Sequence, residues 1–282
     1  MPTPFKDGEI DGAAIRRNVA RFVEGGLGGV VALGTNGEAA MLDDDESDRV
    51  VQAAREAVPA DKTLIAGVGR ESTRATIAAA RRAAAAGADA VLVRTPSFYR
   101  AHMPVSSLIA HYTAVADAST VPVLLYNYAG FTGVNLAPDT IGRLAAHPNI
   151  VGLKETSTDG AQFAELAAAV PARFTIMAGS APGVYAALCA GATGAILAVA
   201  CVRPALCLEL MDHVRANRFA EGLACQQQLT PLARAVTTGF GIAGLKAAMD
   251  LAGMDGGDPR PPLGPLAVDG LEKIRALLHA TR

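Results

Sequence analysis

Lysine is scarce in this chain, with five residues against twenty arginines. Lys6, Lys62, Lys246 and Lys273 fall in helical or loop settings, where a solvated surface is the default. Lys154 differs, because it ends the apolar run Ile150-Val151-Gly152-Leu153. Desolvation at a buried strand end disfavours the ammonium form, and a neutral amine attacks carbonyl carbon. The competing reading is a lysine that snorkels to water or pairs with Glu155. Tyr126 ends the preceding apolar run in the same way, after Val123-Leu124-Leu125 and 28 residues before Lys154. A phenol beside an imine-forming lysine relays protons while a carbinolamine forms and dehydrates. The alternative for Tyr126 is a core tyrosine whose hydroxyl is simply satisfied. A third element is Gly34-Thr35-Asn36-Gly37-Glu38. Its glycines admit close backbone approach, and the Thr35 hydroxyl, the Asn36 amide and the backbone N–H groups suit a carboxylate. Taken alone, that stretch is an ordinary turn.

Elements that could bring these residues together are visible as short, continuous apolar runs separated by helical stretches. The runs end near residues 33, 68, 93, 126, 154, 178 and 198, and they do not alternate with polar residues. That pattern suits strands buried on both faces of a parallel sheet. Thr73 to Ala86 is a helix closed by Gly87, and Asp43 caps a helix that opens with Asp44-Asp45-Glu46. Gly25-Gly26-Leu27-Gly28-Gly29 precedes a strand, so it is a helix-to-strand turn and not a dinucleotide fingerprint, which must follow a strand. This disfavours a doubly wound sheet. Unbroken βα repeats predict a (β/α)8 TIM barrel over residues 1–202, followed by C-terminal helices over 203–282 as one structural unit. Thr3-Pro4-Phe5 is the possible remnant of a first strand. Barrel active sites gather at the C-terminal strand ends, which is where Tyr126 and Lys154 fall.

Composition narrows the class further. A hydrophobic fraction of 51% with 18% charge excludes a disordered chain, and a net charge of −2 offers no basic face for nucleic acid. No run approaches the roughly 18 apolar residues of a membrane span, and residues 1–7 carry no apolar targeting core. A soluble, cytoplasmic protein is expected. Cys189, Cys201, Cys207 and Cys225 form no C-x-x-C pair and read as reduced, half-buried thiols. The five histidines show no metal-ligand spacing.

Together these pieces resemble the dihydrodipicolinate synthase / N-acetylneuraminate lyase family of pyruvate-dependent class I aldolases. The matching stretches are Thr3-Pro4-Phe5, residues 34–38, Tyr126-Asn127, and Val151-Gly152-Leu153-Lys154-Glu155-Thr156, with Gly179-Ser180 and Gly241 to Lys246 in the expected order. The resemblance implies that Lys154 forms a Schiff base with pyruvate and that Tyr126 moves protons. It implies that Thr35 and Asn36 grip the pyruvate carboxylate and that Thr156, Gly179, Ser180 and Ile196 complete the substrate site. No cofactor or metal is implied, since the iminium itself is the electron sink. Family members are commonly tetramers built from tight dimers, so a homo-oligomer, dimer or tetramer, is expected.

Departures from the family pattern refine the functional expectation. Phe98 stands where the resemblance expects a tyrosine lent across a dimer interface, and Tyr99 beside it is the candidate to take over that relay. Ala129 replaces the usual proline. Phe131 stands where dihydrodipicolinate synthases carry an arginine for the semialdehyde carboxylate. Asn36, Thr95 to Arg100, Phe240-Gly241-Ile242 and Gly256-Gly257 look like 4-hydroxy-2-oxoglutarate aldolases. The favoured reading is therefore cleavage of a 4-hydroxy-2-oxo acid to pyruvate and an aldehyde, glyoxylate first. The alternatives are a 2-dehydro-3-deoxy sugar acid aldolase or dehydratase, a dihydrodipicolinate synthase-like condensing enzyme, and a catalytically impaired barrel that binds 2-oxo acids. Against the family, the opening Met1-Pro2-Thr3-Pro4-Phe5 predicts a truncated first strand.

Overall fold

A computed structural model describes residues 1–281. In chain order the elements are β1 (Phe5–Lys6), β2 (Glu9–Ile10), α1 (Gly12–Glu24), β3 (Gly29–Ala32), α2 (Asp44–Ala57), β4 (Thr63–Gly67), α3 (Thr73–Ala85), β5 (Ala90–Arg94), α4 (Val105–Ala118) and β6 (Val123–Asn127). They continue as α5 (Ala129–Thr132), α6 (Pro138–Leu144), β7 (Ile150–Glu155), α7 (Gly160–Ala169), β8 (Thr175–Ala178), α8 (Val184–Cys189) and β9 (Gly194–Ala195). Four helices follow: α9 (Pro204–Arg215), α10 (Phe219–Arg234), α11 (Gly241–Leu251) and α12 (Val268–Ala280). Strands β3 to β9 are hydrogen-bonded in chain order. The chain divides into two compact units, Met1–Leu64 with the stretch from Leu197 onward, and Ile65–Ile196.

In the Ile65–Ile196 unit, each strand pairs in parallel with the next, as continuous apolar runs require. All five residues of β6 are buried, and Val91, Val93, Leu125 and Leu153 are among the fully enclosed core side chains. Helix α3 ends as expected: Gly87 takes φ +97°, and its neighbour Ala88 N–H reaches back to Ala83 O at 3.0 Å. The last apolar run delivers less strand than its length suggests. β9 holds two residues, and Ile196 N–H adds one bond to Ala178 O at 2.9 Å. The ladder stops there because β8 stops at Ala178, and residues Ala198–Cys201 coil into a short 3-10 turn.

The other unit corrects the reading of the N-terminus. Thr3 and Pro4 lie in no strand, while Phe5–Lys6 pairs antiparallel with Glu9–Ile10. Asp7 and Gly8 turn the hairpin with φ of +54° and +83°, the left-handed pair that an Asp-Gly dipeptide supplies in a two-residue loop. The Asp43 cap is present as a full capping box. Asp43 Oδ1 accepts from Glu46 N–H at 2.8 Å, and Glu46 Oε2 accepts from Asp43 N–H at 3.1 Å. The same Glu46 carboxylate binds Arg260 at 2.7 Å, which holds its pKa below the ordinary glutamate value. Asp43→Ala should therefore lower unfolding free energy by about 1 kcal/mol in urea titration. An unchanged midpoint would show that the cap is redundant with the Arg260 contact.

Candidate active site

Parallel register sets Tyr126 beside Lys154. The two are paired positions on β6 and β7, so a separation of 28 residues in sequence becomes adjacency at neighbouring strand ends. Lys154 Nζ lies 3.3 Å from Tyr126 Oη and 4.4 Å from the centre of its ring. Lys154 is buried, and desolvation lowers its ammonium pKa from 10.5 to about 8. A useful fraction of neutral amine is then available near neutral pH, with a phenol in reach to move protons.

Glu155 is not the partner of Lys154. Successive strand residues face opposite ways, which sends the two side chains apart. The Glu155 carboxylate accepts from Asn127 Nδ2 at 2.7 Å, Ser157 N–H at 2.7 Å and Gln162 Nε2 at 3.0 Å. Its pKa is nonetheless raised, because burial outweighs those hydrogen bonds. Asn127 also donates to Asn135 Oδ1 at 2.8 Å and accepts from Leu136 N–H at 3.0 Å. Glu155 and Asn127 thus tie the segments that follow β6 and β7 to the strands carrying Tyr126 and Lys154. Sequence inspection missed this network; its only signal was two polar residues ending otherwise apolar runs.

Of the predicted positions, Gly179 lies against the Lys154 side chain and Thr156. Gly179 N–H bonds to Glu155 O at 2.6 Å, and a Cβ there would sit 3.0 Å from Lys154 Cε and 2.6 Å from Thr156 Cγ2. Only glycine fits between them. The Thr156 hydroxyl donates to Asn127 O at 2.7 Å, so its proton is committed to the backbone. Ile196 is half-buried and continues the ladder on Ala178. Ser180 is half-buried and accepts through its carbonyl from Gly183 N–H at 3.2 Å. Tyr99 is 64% exposed and packs edge-on against Phe98, which is 78% exposed. Beyond Tyr126, Tyr128 lies 5.9 Å away ring to ring, its pKa pushed up to about 12 by burial, and Phe131 meets Tyr128 edge-on at 4.6 Å.

Thr35 and Asn36 belong to the other unit, where Thr35–Gly37 forms a single 3-10 turn after β3. Gly37 N–H closes on Gly34 O at 3.0 Å, and Thr3 Oγ1 donates to Gly37 O at 2.7 Å. Two non-glycine residues with left-handed backbones bracket the turn, Leu33 at φ +55° and Glu38 at φ +56°. Such conformations cost roughly 1–3 kcal/mol each and persist where surrounding structure enforces them. Lys246 overturns the surface expectation entirely, being buried in contact with Glu38. Its position on a helix among the residues Gly241 to Leu251 concealed this, because helical lysines are mostly solvated.

Among the described residues, Glu209, His213 and Cys225 offer ligand atoms within 4.8 Å of one another. Arg218 Nε donates to His213 Nδ1 at 2.9 Å, which leaves the ring proton on Nε2, facing Glu209 at 3.4 Å. Neither ring nitrogen then presents a free lone pair to a cation.

Comparison with known proteins gives this arrangement its class. The model of the Dihydrodipicolinate synthetase family matches residues 1–281. A 4-hydroxy-tetrahydrodipicolinate synthase of Acidiphilium cryptum is 36% identical over 279 residues, covering 99% of this chain and 95% of that protein. The dihydrodipicolinate synthase structure from Thermotoga maritima superposes with a TM-score of 0.95 at 30% identity, covering 100% of this chain and 96% of that one. A structure described as the first monomeric dihydrodipicolinate synthase variant gives 0.94 at 29% identity, covering 99% and 94%. The chain belongs to the dihydrodipicolinate synthase family, with the (β/α)8-barrel fold class and C-terminal helical part of its relatives. It is a carbon–carbon lyase of the class I, Schiff-base-forming kind. No helix among the described residues is long and apolar enough to cross a membrane.

Two outcomes follow from the Lys154 surroundings. The rate of pyruvate-dependent borohydride inactivation should rise with pH through about 8 and level above it, because the neutral amine is the attacking form. A rate that keeps climbing about tenfold per pH unit past 9, without levelling, would mean the amine is not desolvated in solution. Gly179→Ala should cut turnover by roughly 10²-fold in a folded protein, since its Cβ displaces Lys154 Cε by tenths of an ångström or more. Steady-state assay with circular dichroism as the folding control checks this.

Proposed function

We propose that this chain condenses pyruvate, held as an imine on Lys154, with a semialdehyde, in the manner of its relatives named 4-hydroxy-tetrahydrodipicolinate synthase. The supporting observation is the 3.3 Å approach of a desolvated Lys154 amine to the Tyr126 hydroxyl at paired strand ends. In this reading the neutral amine adds to C2 of pyruvate, and Tyr126 protonates the carbinolamine oxygen so that water leaves. Loss of a methyl proton from the iminium gives an enamine, whose carbon attacks the aldehyde. Hydrolysis of the new imine returns the lysine. Thr35 and Asn36 hold the pyruvate carboxylate, while Thr156, Gly179, Ser180 and Ile196 shape its surroundings. A second copy of the chain is the proposed cover for exposed Phe98 and Tyr99, with Tyr99 as the relay across that contact. Sedimentation velocity would register a dimer or larger species.

One observation favours a second reading, cleavage of a 4-hydroxy-2-oxo acid to pyruvate and glyoxylate or another aldehyde. Phe131 occupies the place expected for a carboxylate-binding arginine and packs on Tyr128 with no cationic group of its own. The reactions share every step at Lys154 and differ in direction and acceptor.

Mass spectrometry after pyruvate and borohydride should find one reduced adduct on Lys154, absent from Lys154→Ala. Tyr126→Phe should slow turnover by roughly 10²-fold. No adduct on the folded protein would refute Schiff-base chemistry here. Side-by-side assays of pyruvate with a semialdehyde, and of a 4-hydroxy-2-oxo acid alone, then separate the two readings. Phe131→Arg should raise condensation if the missing arginine is what limits it.

A further inference from the structure

Lys246 and Glu38 form an ion pair with both side chains wholly inaccessible and Nζ 2.6 Å from Oε1. Lys246 Nζ also donates to Asp258 O at 2.9 Å and lies 4.4 Å from the centre of the Phe5 ring. The other Glu38 oxygen accepts from Arg260 N–H at 2.8 Å. Each charge therefore faces its counter-charge inside the protein. Pairs of this kind add little over well-packed apolar residues, because desolvating two charges offsets most of their attraction. Stability alone gives no reason to place one here.

The backbone supplies a reason. Glu38 is the last residue of the stretch 34–38 and has a left-handed conformation, and Leu33 enters that stretch in the same region. Within the turn, the bonds from Gly37 N–H to Gly34 O and from Glu38 N–H to Thr35 O are local, at 3.0 and 3.2 Å. Local bonds of that kind are compatible with many turns and do not impose a left-handed exit on a glutamate. A side chain anchored at both oxygens does impose it, since it fixes where the Glu38 Cα–Cβ bond must point.

We propose that Lys246 is a positioning residue for the carboxylate site: through Glu38 it clamps the exit of the 34–38 turn and so holds Thr35 and Asn36 in the shape that receives the pyruvate carboxylate. The inference rests on the proposed role of Thr35 and Asn36. It assigns the late Gly241–Leu251 helix, which carries no reacting group, a part in substrate affinity. The clamp acts on binding of the keto acid and leaves the chemistry of Lys154 and Tyr126 untouched.

The experiment compares Glu38→Gln, Lys246→Met and the double variant Glu38→Gln/Lys246→Met with the wild-type enzyme. The double variant leaves no buried charge unpaired, and its Tm should recover most of what Lys246→Met loses. Its KM for pyruvate should nonetheless stay about tenfold or more above wild type. Its kcat should fall less than about threefold, and borohydride should still trap pyruvate at saturation. A merely structural pair predicts instead that KM recovers together with Tm, and that result overturns the proposal. So does a KM within about twofold of wild type in any variant that folds. If both Lys246 variants fail to fold, Glu38→Gln decides by the same criterion. Burial already lowers the Lys246 pKa, so the amine can shed its charge once the carboxylate is gone, and Glu38→Gln removes the charged anchor without stranding a buried ammonium. Thr35→Val and Asn36→Ala are run alongside. If they raise KM and the pair variants do not, the clamp alone is overturned; if they leave KM unchanged, the carboxylate role of the turn falls, and the clamp with it.

Discussion

A primary amine kept out of water at the end of a parallel strand is the interaction on which the rest depends. An ammonium group strongly prefers water, and enclosing it shifts the balance toward the nucleophilic free base. Lys154 meets this condition because β7 is flanked on both sides by strands and its end is packed by Gly179 and Thr156. Register completes the arrangement by putting the Tyr126 hydroxyl next to the amine. A one-residue slip in that register would turn one of the two side chains to the opposite face and separate them.

Keeping that register and that shape falls to groups that never touch the amine. Glu155 gathers donors from a strand end, a loop backbone and a helix, and Asn127 on the neighbouring strand donates to Glu155 and Asn135 and accepts from Leu136 N–H. Each polar atom in the network has partners, which is the condition for burying such groups at small cost. Gly179 contributes by absence, since a methyl group there would collide with both Lys154 and Thr156. Thr156 is thereby better understood as a brace that spends its proton on Asn127 O than as a donor to substrate.

The N-terminal stretch and the C-terminal helices pursue a similar economy around a different feature. Arg260 bonds Glu46, Met41 O and Gly8 O, and its guanidinium stacks on the Phe5 ring, which is shared with Lys246. Residues distant in sequence are thus fastened around the turn that ends at Glu38. Strained backbone there survives because this packing over-determines it.

Much of this was legible in the residues themselves. Continuous apolar runs announced parallel strands, and strand-end polar residues announced Lys154 and Tyr126, because both signals are local and survive without knowledge of neighbours. The Asp43 cap and the Gly87 helix stop were legible for the same reason. The Asp7-Gly8 signal is equally local, yet the family pattern points to Thr3-Pro4-Phe5 as the remnant of a first strand, and the structure instead puts Phe5 in an antiparallel hairpin. What only the tertiary structure decided were facts that depend on which groups meet across long sequence separations. Glu155 turns from Lys154 to Asn127 and Gln162, the hydroxyl of Thr156 is already spent, and Lys246 leaves the surface to meet Glu38 across more than two hundred residues. Sequence alone determined which residues could react, since reactivity resides in side-chain type and the polarity of the local run. The burial, partners and orientation that set pKa and geometry arise only when distant segments pack, so they were decided by the fold.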